Sequence, residues 1–174
     1  MQKKVSLKEY PGKSDPGDDE VLSGPVIAMP GDYVPGNGAI LTGTGKKTEH
    51  RITSFEKINI VRKGISKRDL ELLKEKACFD YTTLAKILGV TRATLINKKR
   101  TEKFSAVLSE KILGLADLYS YGFEIFGEEE RFNQWMGKPN QAIGGEIPVN
   151  IIDNQYGREE VKNLIGRIAY GVYS

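Results

Sequence analysis

Cysteine and histidine, which build many metal and catalytic sites, are almost missing from this sequence of 174 residues, which has one of each, Cys78 and His50. A Cys/His zinc site needs several such residues and a disulfide needs two cysteines, so one chain by itself forms neither. A Ser-His-Asp triad would depend on His50, and no serine lies in the Gly-x-Ser-x-Gly pattern of such nucleophiles. These counts weaken most enzyme interpretations but leave carboxylate catalysis and carboxylate-only metal sites open. We expect a protein that is not an enzyme and that uses no cofactor or metal.

Long hydrophobic runs are also missing. The longest, such as Val26–Met29, have a few residues, whereas a membrane-spanning helix needs about 20. The first residues carry lysines and lack the apolar stretch of a secretory signal. With 28% charged and 39% hydrophobic residues, the composition is typical of one compact domain or two small ones. We expect a cytoplasmic protein without a membrane partner.

Charge is distributed unevenly along the chain. Residues 1–61 hold 8 Lys/Arg against 8 Asp/Glu, residues 62–103 hold 12 against 5, and residues 104–174 hold 6 against 10. The net charges are therefore 0, +7 and −4. A basic segment followed by an acidic one favours a polyanion-binding module joined to a module with a different partner. On charge alone, an ordinary solvated lysine-rich helix face is an equally good interpretation of the basic segment.

The N-terminal third is rich in residues that break helices. Residues 1–48 contain 8 glycines and 5 prolines, and Pro-Gly occurs four times, which predicts turns rather than a long helix. Short apolar pieces, Val26–Met29 and Ala39–Leu41, form either edge strands or segments that dock onto a larger body. We therefore interpret residues 1–57 as a mostly irregular arm.

Helical periodicity begins near Ile58 and continues to the end of the chain, so the fold is predicted to be mainly α. Ser66 with Asp69 predicts a helix start of the capping-box type, and Gly89 predicts a helix end in the left-handed conformation. Apolar residues at intervals of three and four indicate the remaining helices. The predicted helices include 82–88, 91 to about 100, 105–126, 128–136, 147–153 and 158–169.

The segment from Leu84 to Leu95 has the spacing of a helix-turn-helix. A small residue, Ala85, lies where two helices would cross, and Gly89 follows four residues later at the turn. Apolar residues flank this turn on both sides, at Leu84, Leu88, Val90 and Leu95. Because spacing and positive charge agree independently, we predict DNA binding. A plain helical hairpin with a cationic surface is the alternative.

If Val90 and Leu95 point inward, polar and cationic side chains fall on the opposite face of the second helix. Arginine can fork to guanine and asparagine can pair with adenine, whereas lysine and threonine suit phosphates. The candidates for base contacts are Thr91, Arg92, Asn97 and Arg100, and those for phosphate contacts are Thr94, Lys98, Lys99 and Lys103.

Two other features of the sequence are weaker signals of function. A phosphate-binding loop around Gly43–Thr48 would need glycine at 40 and Ser/Thr at 47, but these residues are Ile40 and Lys47. Cys78 follows Ala77 in an apolar patch, which favours a core position over a reactive thiol.

The C-terminal half carries a longer signature with a fixed order of Trp, Pro-Asn, Gly-Gly and Pro. Its parts are Phe126-Gly127, Trp135-Met136-Gly137-Lys138-Pro139-Asn140, Gly144-Gly145, Pro148 and the ending Arg167-Ile168-Ala169-Tyr170-Gly171-Val172-Tyr173-Ser174. This stretch resembles the toxin-binding domain of Xre/MbcA/ParS-type antitoxins, which occur in RES–Xre toxin–antitoxin pairs. The resemblance extends over about residues 58–174 and leaves the arm out.

The resemblance implies a fold and a function. It implies a helix-turn-helix domain over 58–127 that represses the protein's own operon, and a small helical domain over 128–174 that neutralises a cognate RES-type toxin. Such toxins resemble ADP-ribosyltransferases and deplete NAD, and the antitoxin blocks their active-site cleft. The partners implied are this toxin and operator DNA.

The chain end is also a candidate interface on its own chemistry. Tyrosine and arginine are favoured anchors of protein interfaces. The simpler alternative is that Tyr170 and Tyr173 both pack back onto the domain. The candidate toxin-binding residues are Arg167, Tyr170, Gly171, Val172, Tyr173 and Ser174. Because one helix-turn-helix reads one half-site, we expect a homodimer, and with toxin a larger hetero-oligomer.

Two other interpretations stay open. One is a stand-alone helix-turn-helix regulator whose C-terminal module binds a small ligand. The other is a small enzyme or nucleotide-binding protein that uses the glycine-rich arm.

Overall fold

The structure is a computed structural model that describes residues 39–44 and 47–171. These residues form α-helices, three short 3-10 turns and loops, with no β-strand among them, so the mainly α prediction is confirmed. No helix in this part of the chain is both long and apolar enough to cross a membrane. The helices are α1 (Ser54–Lys63), α2 (Lys67–Lys76), α3 (Tyr81–Leu88), α4 (Arg92–Ile96), α5 (Ala106–Phe126), α6 (Glu129–Met136), α7 (Pro148–Ile151) and α8 (Gln155–Ala169).

Side-chain caps set the beginnings of the first helices. Thr53 accepts a hydrogen bond from the backbone N–H of Glu56, whose carboxylate in turn accepts from the N–H of Thr53. Ser66 and Asp69 make the same reciprocal pair at α2, as the sequence predicted. Each capping box satisfies backbone N–H groups that lack a partner within the helix, so both helix starts are encoded locally.

The long helix α5 lies at the centre of the fold. Ile112, Leu115 and Ala116 are fully buried, and α1, α3, α6 and α8 all pack against this helix. A half-buried ion cluster strengthens the arrangement: Asp117 of α5 accepts from Lys57 of α1 at 2.5 Å and also from Lys162 of α8. Because one carboxylate pairs with both lysines, α1 and α8 are held to the same point of α5.

The segment before α1 packs onto this core. We call residues 39–44 and 47–52 the strap. Ile40, Leu41 and Ile52 are buried in the main core, so the apolar piece at Ala39–Leu41 docks onto the body and forms no strand. Helix α1 begins at Ser54, four residues before the expected start, because the Thr53 cap precedes it. Val26–Met29 lies outside the described residues, and the domain limits at 57/58 and 127/128 stay predictions.

A cluster of aromatic rings forms the core of the C-terminal part. Phe132 of α6 is fully buried and packs edge-on against Tyr119 and Phe123 of α5, with ring centroids 5.2 and 5.6 Å apart. Trp135 is half-buried and stacks on Phe132 at 5.9 Å. Gly122 allows α6 to pack closely against α5, because a Cβ at this position would lie 2.2 Å from a ring carbon of Phe132.

The predicted core position of Cys78 is wrong. Cys78 is exposed, and its φ of 53° is the one positive value of a non-glycine residue in the described part of the chain. The chain reverses between α2 and α3, where the N–H of Cys78 donates to the carbonyl of Glu75. Ala77, and not Cys78, fills the apolar position next to the core.

Candidate DNA-binding and partner-binding surfaces

The turn between α3 and α4 has the geometry that the sequence predicted. Gly89 ends α3 in the left-handed conformation, with φ 65° and ψ 41°. Its N–H donates to the carbonyl of Lys86, and the N–H of Val90 donates to that of Ala85. Such a turn strongly favours glycine, because a side chain at positive φ is strained. Thr91 then caps α4 by accepting from the N–H of Thr94 at 3.2 Å.

Helix α4 is shorter than expected. It ends at Ile96 and not near Arg100, so Lys98, Lys99 and Arg100 lie in the turn that follows. Long-range backbone bonds fix this turn: the N–H of Arg68 donates to the carbonyl of Arg100, and that of Lys67 to the carbonyl of Glu102. The segment therefore leaves the helix to pair with the start of α2.

The candidate DNA-binding residues from Thr91 to Arg100 lie on α4 or directly next to it, whereas Lys103 lies apart, where its ammonium donates to the carbonyl of Lys63 at 2.8 Å. Leu95 is fully buried, which places the opposite side of α4 outside. Lys98 is half-buried, with its ammonium 5.5 Å from the ring centroid of Phe104. The exposed members are Thr91, Arg92, Thr94, Asn97, Lys99 and Arg100. The result is a cationic surface with hydroxyl and amide donors, which suits a nucleic-acid groove.

A buried lysine, which sequence reasoning missed, supports this surface from behind. Lys67 is 4% exposed, and its ammonium donates to the carbonyl of Leu95 at 2.6 Å and to the hydroxyl of Tyr81 at 2.7 Å. The same ammonium lies 4.3 Å from the centre of the Tyr81 ring. Lys67 thus ties α4 to the first residue of α3. Its place in a lysine-rich helix start resembles a solvated surface position, so the sequence contains no signal for this role.

The outward face of α8 is the candidate partner surface. Val161, Leu164 and Ile165 are buried on the inner side, which leaves a polar and aromatic stripe outside. The stripe consists of Tyr156, Glu159, Asn163, Arg167 and Tyr170. Its two tyrosines are 81% and 85% exposed, which is unusual for large aromatic side chains. Their spacing of 14 residues, about four helical turns, places them on one face.

Three of the candidate toxin-binding residues are described. Arg167, Tyr170 and Gly171 are exposed, and Gly171 has a φ of 66° at the end of α8. Val172, Tyr173 and Ser174 lie outside the described residues. Tyr156, at the other end of α8, was missed because the expected helix began at Arg158, whereas Asn154 caps the helix earlier by accepting from the N–H of Gly157.

The Pro-Asn and Gly-Gly parts of the C-terminal signature are structural. The side chain of Asn140 accepts from the N–H of Ala142 at 3.0 Å, and its carbonyl accepts from the N–H of Gly145. Gly144 and Gly145 both have positive φ values, of 71° and 82°. These residues therefore close the loop between α6 and α7 and position α8 without forming the stripe.

The single histidine lies where the strap meets α5. His50 Nε2 is 3.0 Å from a carboxylate oxygen of Glu124, and its ring centroid is 5.4 Å from that of Tyr121. Burial lowers the pKa of His50, although the carboxylate of Glu124 opposes the shift. Ser120 lies 3.4 Å from His50 Nδ1 but is fully buried, and its hydroxyl donates to the carbonyl of Asp117. This arrangement anchors the strap and offers a substrate no access to the hydroxyl.

Comparison with known protein families gives two matches. Residues 56–117 match the antitoxin Xre-like helix-turn-helix domain, and residues 122–171 match the antitoxin Xre/MbcA/ParS C-terminal toxin-binding domain. The first match contains α3 and α4, and the second contains α8. The two matched segments follow each other in the chain and leave the whole strap outside.

Individual relatives agree with these matches. A Prs ADP-ribosylating antitoxin of Sphingobium sp. (strain YBL2) is 27% identical over 139 residues, which are 74% of this chain and 87% of the relative. An antitoxin Xre of Photorhabdus laumondii is 25% identical over 66% of this chain and 79% of its own length. With both domains matched in the expected order, the chain belongs to the Xre/MbcA/ParS-type antitoxins.

Proposed function

We propose that this protein binds a cognate RES-type toxin and blocks its active site, and that it represses its own operon through the helix-turn-helix. The observation that carries the proposal is that two unlike exposed surfaces lie on different helices, α4 and α8. The exposed residues of α4 and its following turn are cationic, whereas α8 presents tyrosines at both ends of its outward face. Each surface suits a different class of partner.

Toxin binding is assigned to the end of α8. Tyr170 is 85% exposed and Arg167 lies one turn before it, so both are available to a partner. A tyrosine and an arginine that insert into a concave site bury apolar area and supply hydrogen-bond donors at the same time. The RES assignment rests on the C-terminal resemblance, and the name of the Sphingobium relative, Prs ADP-ribosylating antitoxin, refers to ADP-ribosylation.

Removal of residues after Ile168 tests this assignment. The truncated chain should fail to neutralise the toxin and should still bind operator DNA, because α3 and α4 are intact. Growth rescue on co-expression and a pull-down with the toxin measure the first property, and electrophoretic mobility shift measures the second. Equal rescue by the truncated chain would show that the toxin-binding site is misplaced. If the intact chain neither binds nor neutralises the toxin, the stand-alone regulator becomes the better interpretation.

Operator binding is assigned to the exposed residues of α4 and to Asn97, the residue that follows. Alanine at Arg92 and Asn97 should weaken operator binding by about 1–3 kcal/mol for each base contact and leave toxin binding intact. Lys138, which lies outside the helix-turn-helix, is a suitable control for the loss of a positive charge. Unchanged operator affinity in the double variant would mean that α4 does not read the DNA. Analytical ultracentrifugation with and without operator DNA tests the proposed homodimer.

A further inference from the structure

The strap lies beside the proposed toxin-binding end of α8. Tyr121 of α5 connects the two: its ring is 5.4 Å from that of His50 on the strap side. Gly166 of α8 lies close on the other side of Tyr121: a Cβ added to this glycine would be 3.6 Å from the Tyr121 hydroxyl oxygen. Burial raises the pKa of Tyr121, and the nearby phenol of Tyr170 raises it further. Strap, α5 and the end of α8 therefore meet at one place on the surface.

Arg51 gives this place a second arginine. Its side chain is 51% exposed, and its Nε and Nη2 donate to the two carboxylate oxygens of Glu124 at 3.0 and 2.5 Å. Glu124 lies one turn after Tyr121 on α5. A guanidinium that is already oriented by a bidentate pair loses less conformational entropy when a partner binds. Arginine is also one of the residue types enriched among those that dominate interface energies.

We propose that Arg51 extends the toxin-binding surface beyond the end of α8, and that it contacts a patch of carboxylate or carbonyl oxygens on the toxin. This inference rests on the proposed function, since it takes the toxin to bind at Tyr170. Arg51 lies before both family-matched segments, 56–117 and 122–171. The strap therefore adds a contact outside the two matched domains.

The choice of a protein partner follows from the chemistry of the place. Arg51 and His50 both pair with Glu124, so a phosphate backbone would meet a carboxylate here as well as a guanidinium. The turn after α4, by contrast, combines Lys99 and Arg100. A protein surface that offers oxygen acceptors next to an apolar recess is the better match for tyrosine and paired arginine.

The experiment uses the full chain and a catalytically inactive form of the cognate toxin, with binding measured by surface plasmon resonance. Arg51→Ala should raise the Kd about tenfold, mainly through faster dissociation, and Arg51→Glu should raise it more. Arg51→Lys should fall between, because it keeps the charge and loses the fork. The matched control is Lys47→Ala: Lys47 is also on the strap, is 56% exposed and pairs with Glu56 at 2.9 Å. It should change the Kd less than twofold.

Operator affinity and thermal stability, measured on the same variants, separate binding from folding. In Arg51→Ala the operator affinity should stay at the wild-type value, and the Tm should fall by no more than about 4 °C for the loss of the half-exposed pair with Glu124. The inference is overturned if Arg51→Ala and Arg51→Glu bind toxin like the wild type, or weaken binding no more than Lys47→Ala. It is equally overturned if the loss of toxin binding follows a loss of stability, or if operator binding or self-association weakens instead.

Tyr170→Ala distinguishes the inference from the proposed function. If Tyr170→Ala weakens toxin binding and the Arg51 variants do not, the strap makes no contact but the end of α8 still does. If both Tyr170→Ala and the Arg51 variants bind normally, or the wild type does not bind at all, the proposed toxin site itself is wrong.

Discussion

Lys67→Met should destabilise the helix-turn-helix, because Lys67 is a buried support of α4. The substitution keeps the length of the side chain and removes the ammonium, which donates to Leu95 at 2.6 Å and to Tyr81 at 2.7 Å. The carbonyl of Leu95 then loses a charge-assisted hydrogen bond, worth about 1.5–3 kcal/mol. Loss of the ring contact with Tyr81 adds about 0.5–2 kcal/mol.

Release of the lysine from burial offsets part of this loss, since a 4% exposed ammonium has given up most of its hydration. We expect a net loss of about 2 kcal/mol in the free energy of unfolding. At this chain length it corresponds to a fall in Tm of roughly 4–8 °C. Operator affinity should also fall, about tenfold, because α4 loses the tether that orients it. Toxin binding should be unchanged at temperatures where the protein is folded.

Differential scanning calorimetry and fluorescence anisotropy with operator DNA measure the two effects. Lys86→Met is the control for stability, since Lys86 is an exposed lysine on α3, and it should change the Tm by less than about 2 °C. A Lys67→Met protein with the Tm and operator affinity of the wild type would refute the tether. It would show that α3 and α4 are held together by their apolar contacts alone.

Two further substitutions test the packing of α6 and the docking of the strap. Gly122→Ala places a Cβ 2.2 Å from the Phe132 ring and should lower stability by about 1–3 kcal/mol. Adding Phe132→Leu should recover part of the loss in thermal unfolding, and a double variant no more stable than Gly122→Ala would contradict this cause. Glu49 is fully buried, and burial raises the pKa of its carboxyl group. The backbone N–H groups of Ile40 and Leu41, which donate to this carboxylate, oppose the shift. A raised pKa means that Glu49 favours folding below its unfolded pKa, near 4.5, and loses this contribution as the pH rises through the folded value. Glu49→Gln should therefore lose less stability than the wild type as the pH rises above 4.5 in urea titrations; parallel profiles would mean that burial does not raise the pKa of Glu49.

Local signals were sufficient for much of the fold. The capping pair Ser66 and Asp69 and the left-handed turn at Gly89 involve residues three or four positions apart, so their geometry is encoded in short stretches of sequence. The exposed cationic face of α4 followed from the same local reasoning, because buried Leu95 leaves its neighbours only the opposite side. The family signature also depends on order and spacing along the chain.

Contacts between distant residues decided the rest. Helix α4 ends at Ile96 because residues 100–102 pair with the start of α2, and local periodicity carries no information about that pairing. Lys67 is buried by residues up to 28 positions away, and His50 meets Ser120 across 70. Composition predicted an irregular arm. It carried no information about the burial of Ile40 and Ile52, because the core into which they pack is formed by residues from the rest of the chain. Helix starts and turns could be predicted from the sequence because neighbouring residues determine them. The burial of Lys67, its hydrogen bond to α4 and the position of the strap beside α8 depend on contacts between distant parts of the folded chain.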